Sequence, residues 1–246
     1  MQSILITICA RGGSKGIPRK NIKLIGATHV IGYSIKHAQK FAALMKSKGR
    51  AKVYIELSTD DIEIKEIAKL YGLKNNYTRS PELANDTAGK QDVIKDILLY
   101  SEKVNQVKYD LILDLDVSAP MRTLDNLVEA YDVINSLPKI DNLFSVSEAK
   151  KNPYFNMVEM NSDGTCSLSK TPKEPILSRQ NAPKVYEMNA SFYYYKRHFF
   201  VPEKMYLFAK STAFELKHDS FDFDHQVDMD FFEYLIVNNK LNFEIE

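Results

Sequence analysis

Apolar and polar residues alternate in blocks along the first 149 positions. Residues 3–10, SILITICA, are almost entirely apolar, which is typical of a strand covered on both faces. Similar runs predict strands at 51–59, 109–117 and 142–149. Helical spacing of apolar residues predicts helices at 29–45, 60–72, 90–104, 123–137 and 226–240. Strands that alternate with helices form βαβ units, so we expect a three-layer, Rossmann-like α/β fold with a mostly parallel sheet.

The alternation of strand and helix stops after residue 149. Residues 150–185 contain four prolines, so we expect short strands or a hairpin arm outside the main sheet. Residues 190–200 predict a return to the sheet, and 213–224 predict a strand that leads into an acidic turn. Residues 75–89 are polar and rich in turn formers, which indicates a loop. Because no internal repeat divides the chain, residues 1–246 are expected to form a single domain with this arm.

The composition is that of an ordinary soluble protein: of 246 residues, 44% are hydrophobic and 26% are charged. A net charge of +1 provides no global field for nucleic acid, so any positive site must be local. The N-terminal apolar run is too short for a signal peptide, and no stretch has the length of a membrane span. Cys9 and Cys166 match neither a disulfide framework nor a zinc spacing. We therefore expect a cytoplasmic protein without a membrane partner.

A loop rich in glycine and basic residues, 10–21 (ARGGSKGIPRKN), connects the first strand to the first helix. Ligands of parallel α/β folds bind at this end of the strands, and glycines let backbone N–H groups approach an anion. Four cations fall within ten residues: Arg11, Lys15, Arg19 and Lys20. The combination predicts a polyphosphate site, although a solvated basic turn is the alternative. Neither the dinucleotide fingerprint nor the Walker A motif is present.

Two pairs of aspartates follow the spacing of one strand face. Asp114 and Asp116 lie two residues apart at the end of a predicted strand, and buried carboxylates there require partners. Arg122, after the next turn, is a candidate structural partner. Asp222 and Asp224 repeat the pattern further along the chain. An acidic first turn of the last helix is the alternative for this region. It suits Asp228 and Asp230 better, which leaves Asp222 and Asp224 for a ligand.

The loop ARGGSKGIPRKN closely resembles the signature of the acylneuraminate (CMP-sialic acid) cytidylyltransferases. The resemblance runs the length of the chain and includes LSTDDIEIKEIAKLYG, RSPELANDTAG, DVSAPMRT, RQNAPKVYEMNASFYYYKR and DSFDFDHQVDMDFFE. It implies a nucleotidyltransferase fold and a homodimer whose protruding arm, within 150–185, reaches the neighbouring subunit. It also implies that CTP and a nine-carbon sugar acid react, with Mg²⁺, to give a CMP-sugar and pyrophosphate.

By this resemblance the loop holds the triphosphate and the leaving pyrophosphate, with Arg11 and Lys20 acting in catalysis. The implied nucleotide-binding residues are Arg11, Gly13, Ser14, Lys15, Lys20, Asn21, Arg79 and Ala88. Asn21 either contacts the ribose or base or serves as a turn residue. This chain has Ala88, Gly89 and Lys90 where relatives often have serines, so base contacts there come from the backbone or from Lys90.

The implied metal ligands are Asp222 and Asp224, which would bind Mg²⁺ through hard carboxylate oxygens and take part in catalysis. Asp116 and Ser118 fall in the stretch that contacts the sugar. The family commonly has Gln at the position of Asp116, so this departure concerns which sugar is used.

The implied sugar-acid residues are Arg179, Gln180 and Asn189, with Arg179 as the bidentate partner of the sugar carboxylate. Many bacterial members have an Arg where this chain has Glu187, so Lys184 is an alternative cation. The substrate is expected to be of the N-acetylneuraminate or legionaminate type, and Asp116 favours legionaminate. The alternatives are another sugar acid, pseudaminate or Kdo, a hexose 1-phosphate, and a regulator that binds CTP without catalysis.

Overall fold

The computed structural model describes residues 1–14, 16–201 and 205–245. The strands are β1 (Gln2–Cys9), β2 (Leu24–Ile25), β3 (Thr28–His29), β4 (Ala51–Ser58), β5 (Leu111–Asp116), β6 (Asn142–Glu148), β7 (Val158–Met160), β8 (Cys166–Leu168), β9 (Tyr186–Lys196) and β10 (Ser211–Glu215). The helices are α1 (Val30–Ser47), α2 (Ile62–Leu70), α3 (Lys90–Asn105), α4 (Leu124–Ser136) and α5 (Gln226–Val237). All five predicted helices are therefore confirmed, with ends that differ by a few residues.

A six-stranded sheet in the order β10-β6-β9-β5-β1-β4 forms the centre of the protein. β1 pairs in parallel with β4 and with β5, and β10 pairs in parallel with β6. β9 inserts between β5 and β6 and runs antiparallel to both. The expected mostly parallel sheet is confirmed, and β9 is the predicted return of the chain to it.

Helices cover both faces of the sheet, which confirms the three-layer α/β fold. Successive residues of β1 point to opposite faces: Ile4 and Ile6 pack in one core cluster and Leu5 in the other. The larger cluster contains side chains of α1, α2, α4 and α5, whereas α3 packs on the opposite face through Ile94 and Leu98. Because β1 is buried on both sides, its sequence is a continuous apolar run.

The strand that the sequence predicts to lead into an acidic turn over 213–224 is β10, which ends at Glu215, and residues 216–225 after it are irregular. The loop predicted at 75–89 is confirmed and contains one short 3-10 turn, Pro81–Leu83. Helix α2 begins after Asp61, whose carboxylate accepts hydrogen bonds from the backbone N–H groups of Glu63 and Ile64. None of the helices in the described part of the chain is long and apolar enough to span a membrane.

The predicted excursion after β6 contains a small hairpin outside the main sheet. β7 and β8 pair with each other in antiparallel fashion and with no strand of the central sheet. Val158 and Met160 are 61% and 79% exposed, and Leu177, further along the segment, is 88% exposed. The hairpin arm is therefore present, while its part in dimerisation stays a prediction.

Arg122 is fully buried and joins three elements. Its guanidinium donates to the carbonyl oxygens of Ser191 in β9 and Asp116 in β5, and to Ser34 Oγ of α1 at 2.9 Å. Burial lowers the pKa of Arg122 to about 10, against the opposing effect of nearby aspartates. Arg122 is thus a structural residue, as expected, although it holds the carbonyl of Asp116 and not its carboxylate.

Replacing Arg122 with Met should lower the free energy of unfolding by about 3 kcal/mol, because the Ser191 carbonyl would lose its side-chain donor and the Asp116 carbonyl would keep only the bond from Ser34 Oγ. Urea denaturation measures the change. Arg50→Met is the matched control: Arg50 pairs with the exposed Asp132, and such surface pairs contribute about 1 kcal/mol or less. Equal losses in the two variants would contradict the structural role of Arg122.

Candidate active site

A cleft of about 480 Å³ opens at the carboxyl ends of β1 and β5. Its walls are the loop after β1, the segment between β4 and α3, and the residues after β5. Nine of the predicted site residues line it: Arg11, Ser14, Lys20, Asn21, Arg79, Ala88, Asp116, Ser118 and Asp224. Lys15 lies outside the described residues. The structure therefore brings together most of a site whose parts are distant in the sequence.

The loop after β1 packs closely against acidic segments. The backbone N–H of Gly12 donates to Asp60 Oδ1 at 3.0 Å, and a Cβ atom on Gly12 would lie 2.4 Å from Asp61 Oδ2. A Cβ atom on Gly16 would lie 2.7 Å from the carbonyl oxygen of Asp224. These two positions require glycine because a side chain would clash. At Gly13, by contrast, a Cβ atom would meet nothing within 4 Å, so its backbone is accessible.

The three cations of this loop that the structure describes divide into two groups. Arg11 pairs with Asp86 at 2.8 Å and keeps 33% of its side chain exposed in the cleft. Lys20 lines the cleft and donates to the carbonyl oxygen of Phe223 at 2.7 Å. Arg19 instead binds Asp61 and Glu63 at the start of α2. The expectation that all four cations face one polyphosphate is thus corrected for Arg19, whose guanidinium fastens the loop to α2.

Asn21 is buried and its side chain donates to the carbonyl oxygen of Arg11 at 3.0 Å. This bond closes the loop on itself, as the turn interpretation expects. Asn21 also borders the cleft, so a contact with a ligand remains open to its other polar atom.

Arg79 and Ala88 come from the segment between β4 and α3. Arg79 is 5% exposed, and its guanidinium donates to the Oγ and carbonyl oxygen of Ser58 at 2.9 and 2.7 Å. The backbone N–H of Ala88 donates to Asn85 Oδ1 at 2.9 Å. A backbone contact to a base at Ala88 would therefore use its carbonyl group or require this turn to open.

The partner of the two β5 aspartates is Lys90, the first residue of α3. Its ammonium lies 2.6 Å from Asp116 Oδ2 and 2.9 Å from Asp114 Oδ2. Burial alone would raise the pKa of Asp116, but Lys90 and two hydrogen bonds from Ser118 outweigh it and hold the pKa at about 2. Burial would lower the pKa of Lys90, yet both carboxylates raise it well above its usual value. The sequence shows Lys90 after the loop but gives no sign that it pairs with β5.

Asp222 and Asp224 lie on the irregular segment before α5. Asp224 is exposed and lines the cleft, whereas Asp222 is partly buried. Burial and the charge of Asp224 raise the pKa of Asp222. Phe223 between them is fixed, because it is fully buried and its N–H donates to the carbonyl oxygen of Ser118 at 2.8 Å.

Two neighbouring carboxylates repel each other, so a divalent cation between them would be favourable. Their donor atoms are the hard oxygens that Mg²⁺ prefers. Among the described residues, no group of three or more acidic, histidine or cysteine side chains could hold a metal. The Asp222–Asp224 pair would thus require further oxygen ligands from substrate or water. Asp228 accepts from the N–H groups of Asp224 and His225, which confirms it as an acid of the first turn of α5.

The predicted sugar-acid residues lie elsewhere. Arg179 donates to the carbonyl oxygen of Ala149 at 3.1 Å and, with Gln180, lines a separate cavity beside Lys184. Asn189 is 4% exposed and joins β6 to β9 by hydrogen bonds with Ser145 and Ser147. Of the described cleft lining, none comes from these three predicted residues. Within one subunit these three residues therefore do not share one pocket, because Asn189 uses its amide in the sheet and Arg179 lies on the arm segment.

Comparison with known proteins places this site in a family. A family model described as cytidylyltransferase matches residues 5–236. The chain is 40% identical over 243 residues, covering 98% of each chain, to the post-translational flagellin modification protein B of Campylobacter coli. It is 39% identical over 244 residues, again 98% of each chain, to the CMP-N,N'-diacetyllegionaminic acid synthase of Campylobacter jejuni. It is 30% identical over 225 residues, which is 91% of this chain and 48% of that protein, to the N-acylneuraminate cytidylyltransferase A of Danio rerio.

Two solved structures of other proteins share the fold of this chain. The CMP:2-keto-3-deoxy-manno-octonic acid synthetase in complex with CTP superposes with a TM-score of 0.68 at 17% identity, covering 97% of this chain and 100% of the other. The 4-diphosphocytidyl-2C-methyl-D-erythritol synthase of Anaerococcus prevotii gives a TM-score of 0.62 at 14% identity, covering 96% of each chain. Since the family model spans nearly the whole chain and includes the cleft, this protein belongs to the cytidylyltransferase family and is a nucleotidyltransferase.

Proposed function

We propose that this enzyme transfers CMP from CTP to the anomeric hydroxyl of a nonulosonic acid and releases pyrophosphate. The observation that carries the proposal is the cleft, in which Arg11 and Lys20 share one cavity with the carboxylate of Asp224. Similarity over nearly the full length to a legionaminate-activating relative supports the sugar class. The substrate is proposed to be of the legionaminate or N-acetylneuraminate type.

The residues of the cleft explain how the chain would promote the reaction. Phosphoryl-type transfer is accelerated mainly by positioning and by neutralising charge on the phosphate oxygens. Arg11 can bind two phosphate oxygens with its planar fork, whereas Lys20 acts as a point charge. Gly13, Ser14 and Lys15 would complete the cradle, and Arg79 and Asn21 would border the nucleoside. Lys20 is held in place by the backbone of Phe223, so it is oriented before CTP binds.

We propose Asp222 and Asp224 as the residues that hold Mg²⁺. Bound there, the ion would polarise the α-phosphate and lower the pKa of the attacking sugar hydroxyl. The chain itself fixes the two carboxylates through the buried Phe223 and its bond to Ser118. The raised pKa of Asp222 means that a nearby cation would stabilise its charged form.

A homodimer is proposed from the exposed apolar surface of the arm. Val158, Met160 and Leu177 would be covered by a second copy of the chain. Arg179 lies on the same segment, away from the cleft of its own subunit. If Arg179 or Lys184 binds the sugar carboxylate, that side chain would complete the cleft of the partner subunit and not the cleft of its own subunit. A cytoplasmic location is also proposed, since Cys9 and Cys166 are free thiols and CTP is available there.

Turnover with a panel of sugar acids tests the proposed function. Pyrophosphate release with CTP and Mg²⁺ is expected to be fastest with N,N'-diacetyllegionaminate, slower with N-acetylneuraminate, and slowest with pseudaminate and Kdo. Tight CTP binding without release for any of these acids would favour the non-catalytic regulator, and a preference for Kdo would overturn the sugar class.

Lys20→Ala should lower the rate of pyrophosphate release by about a hundredfold to a thousandfold, because a cation directed at the phosphates is lost. Lys23→Ala is the matched control. Lys23 belongs to the same segment, but its ammonium binds the side chain of Gln226 at 2.9 Å and does not line the cleft. Near-normal rates for Lys20→Ala, or equal losses in the two variants, would remove Lys20 from the cradle.

Asp224→Asn should raise the Mg²⁺ concentration for half-maximal activity by about tenfold or more, because a neutral amide is a poorer ligand for a hard cation. A magnesium titration at saturating CTP measures the change. Asp230→Asn, an exposed acid of α5 that binds Gln226, is the control and should leave the titration unchanged. An unaltered magnesium dependence in Asp224→Asn would exclude this residue as a ligand.

A Val158→Glu/Met160→Glu double variant should be monomeric by light scattering at micromolar concentration, since two charges would be placed in an apolar contact. Leu70→Glu alters a similarly exposed apolar residue, 73% exposed on α2, and should leave the oligomeric state unchanged. An unchanged dimer in the arm variant, or a wild-type monomer, would refute the arm as the contact.

A further inference from the structure

The first residue of α3 makes an ionic contact that joins both acids of β5. The Lys90 ammonium lies 2.6 Å from Asp116 Oδ2, 2.9 Å from Asp114 Oδ2, and 4.8 Å above the centre of the Tyr193 ring. Carboxylates and an aromatic face thus surround its charge, so few of its donors remain for a ligand.

The acids themselves are fixed. Asp114 is fully buried and its Oδ1 accepts from Thr7 Oγ1 at 2.7 Å. Asp116 Oδ1 accepts from both the N–H and the hydroxyl of Ser118 at 2.8 Å. Each carboxylate therefore has one oxygen held by a neighbouring donor, Thr7 of β1 or Ser118, and the other directed at Lys90. Without the ammonium, two like charges, of which Asp114 is fully buried, would stand on one face of β5.

Asp116 and Lys90 both line the cleft in which the triphosphate is proposed to bind. A carboxylate in a cleft for a polyanion would repel that ligand strongly, because the surroundings are partly desolvated. The neighbouring cations have other partners: Arg79 binds Ser58, and Arg122 binds backbone carbonyls. Lys90 is the cation whose ammonium contacts both carboxylates, so it offsets their charge most directly.

We propose that Lys90 is a positioning and specificity-determining residue. Its ammonium offsets part of the charge of the β5 acids so that Asp116 can stand in the anion-binding cleft as an oriented acceptor. The acceptor would bind a neutral donor of the sugar acid, a hydroxyl or an acylamino N–H. The inference rests on the proposed function for the identity of the sugar acid, and on the geometry of the three side chains for the role of Lys90.

Because Lys90 and Asp116 form an ion pair, the effect of a charge change at one position depends on the charge at the other. Lys90, Asp114 and Asp116 together carry a net charge of −1. Lys90→Gln changes this charge to −2 while keeping a hydrogen-bond donor, and Asp116→Asn changes it to zero. The double variant Lys90→Gln/Asp116→Asn returns to −1, as in the wild type. Charge compensation therefore predicts that adding Asp116→Asn to Lys90→Gln restores the affinity for CTP but does not restore the affinity for the sugar acid.

Steady-state kinetics and calorimetric titration with CTP test this coupling. Lys90→Gln should raise both the KM and the Kd for CTP by at least tenfold, with a smaller change in kcat. The double variant should bind CTP within about threefold of the wild type, a recovery that loss of packing alone would not produce. Asp116→Asn and the double variant should share a KM for the sugar acid at least tenfold above the wild-type value, because an amide nitrogen, which donates, replaces the Oδ2 acceptor in both while Oδ1 stays bound to Ser118.

Two variants control for effects other than charge compensation. Lys90→Arg keeps the charge and a donor fork, so CTP affinity should stay within about threefold of the wild type, and this comparison stands even if Lys90→Gln folds poorly. Lys103→Met removes an exposed charge of the same helix, thirteen residues away from Lys90, and should change nothing. A double variant as weak for CTP as Lys90→Gln would overturn the inference, as would normal CTP affinity in Lys90→Gln.

Failure of the proposed function is recognised separately, since calorimetry of CTP binding requires no turnover. A wild-type protein that binds CTP but uses no nonulosonic acid would refute the proposed reaction. In that case, the CTP affinities of the wild type, the two single variants and the double variant would still confirm or refute the role of Lys90.

Discussion

The register of three parallel strands is the constraint on which the site depends. Cys9, the last residue of β1, pairs with Ser58 of β4 on one side and with Asp116 of β5 on the other. The three strands thus end at the same level, and the segments that follow them meet at one edge of the sheet. A shift of one residue would turn every side chain of β5 to the opposite face and remove Asp116 from the cleft.

The cleft is made of charges that are already paired before any ligand binds. Arg11 has Asp86, and Lys90 has Asp114 and Asp116. The pair of Lys90 with the fully buried Asp114 costs desolvation free energy and contributes little net stability, so its value lies in geometry. Groups held in place need little reorganisation when charge develops on a phosphate, which is the main source of electrostatic catalysis. The same pairing lets acids and bases share a small volume without mutual repulsion.

The sheet edge that carries the cleft and the arm differ in burial. The edge is formed by buried strands, whereas the arm has an exposed apolar hairpin. Arg179 belongs to the second region and the proposed triphosphate cradle to the first. Sugar recognition that draws on both regions would link activity to assembly. That division explains why one subunit presents one well-defined cleft and a dispersed set of sugar-acid candidates.

The sequence by itself determined the order and type of most elements, because continuous apolar runs and helical spacing are local signals. It also determined the glycine-rich loop, the nine predicted residues that line the cleft, and the family. Tertiary structure alone decided the antiparallel place of β9, the attachment of Arg19 to α2, the separation of Arg179 from the cleft and the pairing of Lys90 with β5. Each of these depends on which distant segments become neighbours, and spacing along the chain does not encode the distance between Lys90 and Asp116.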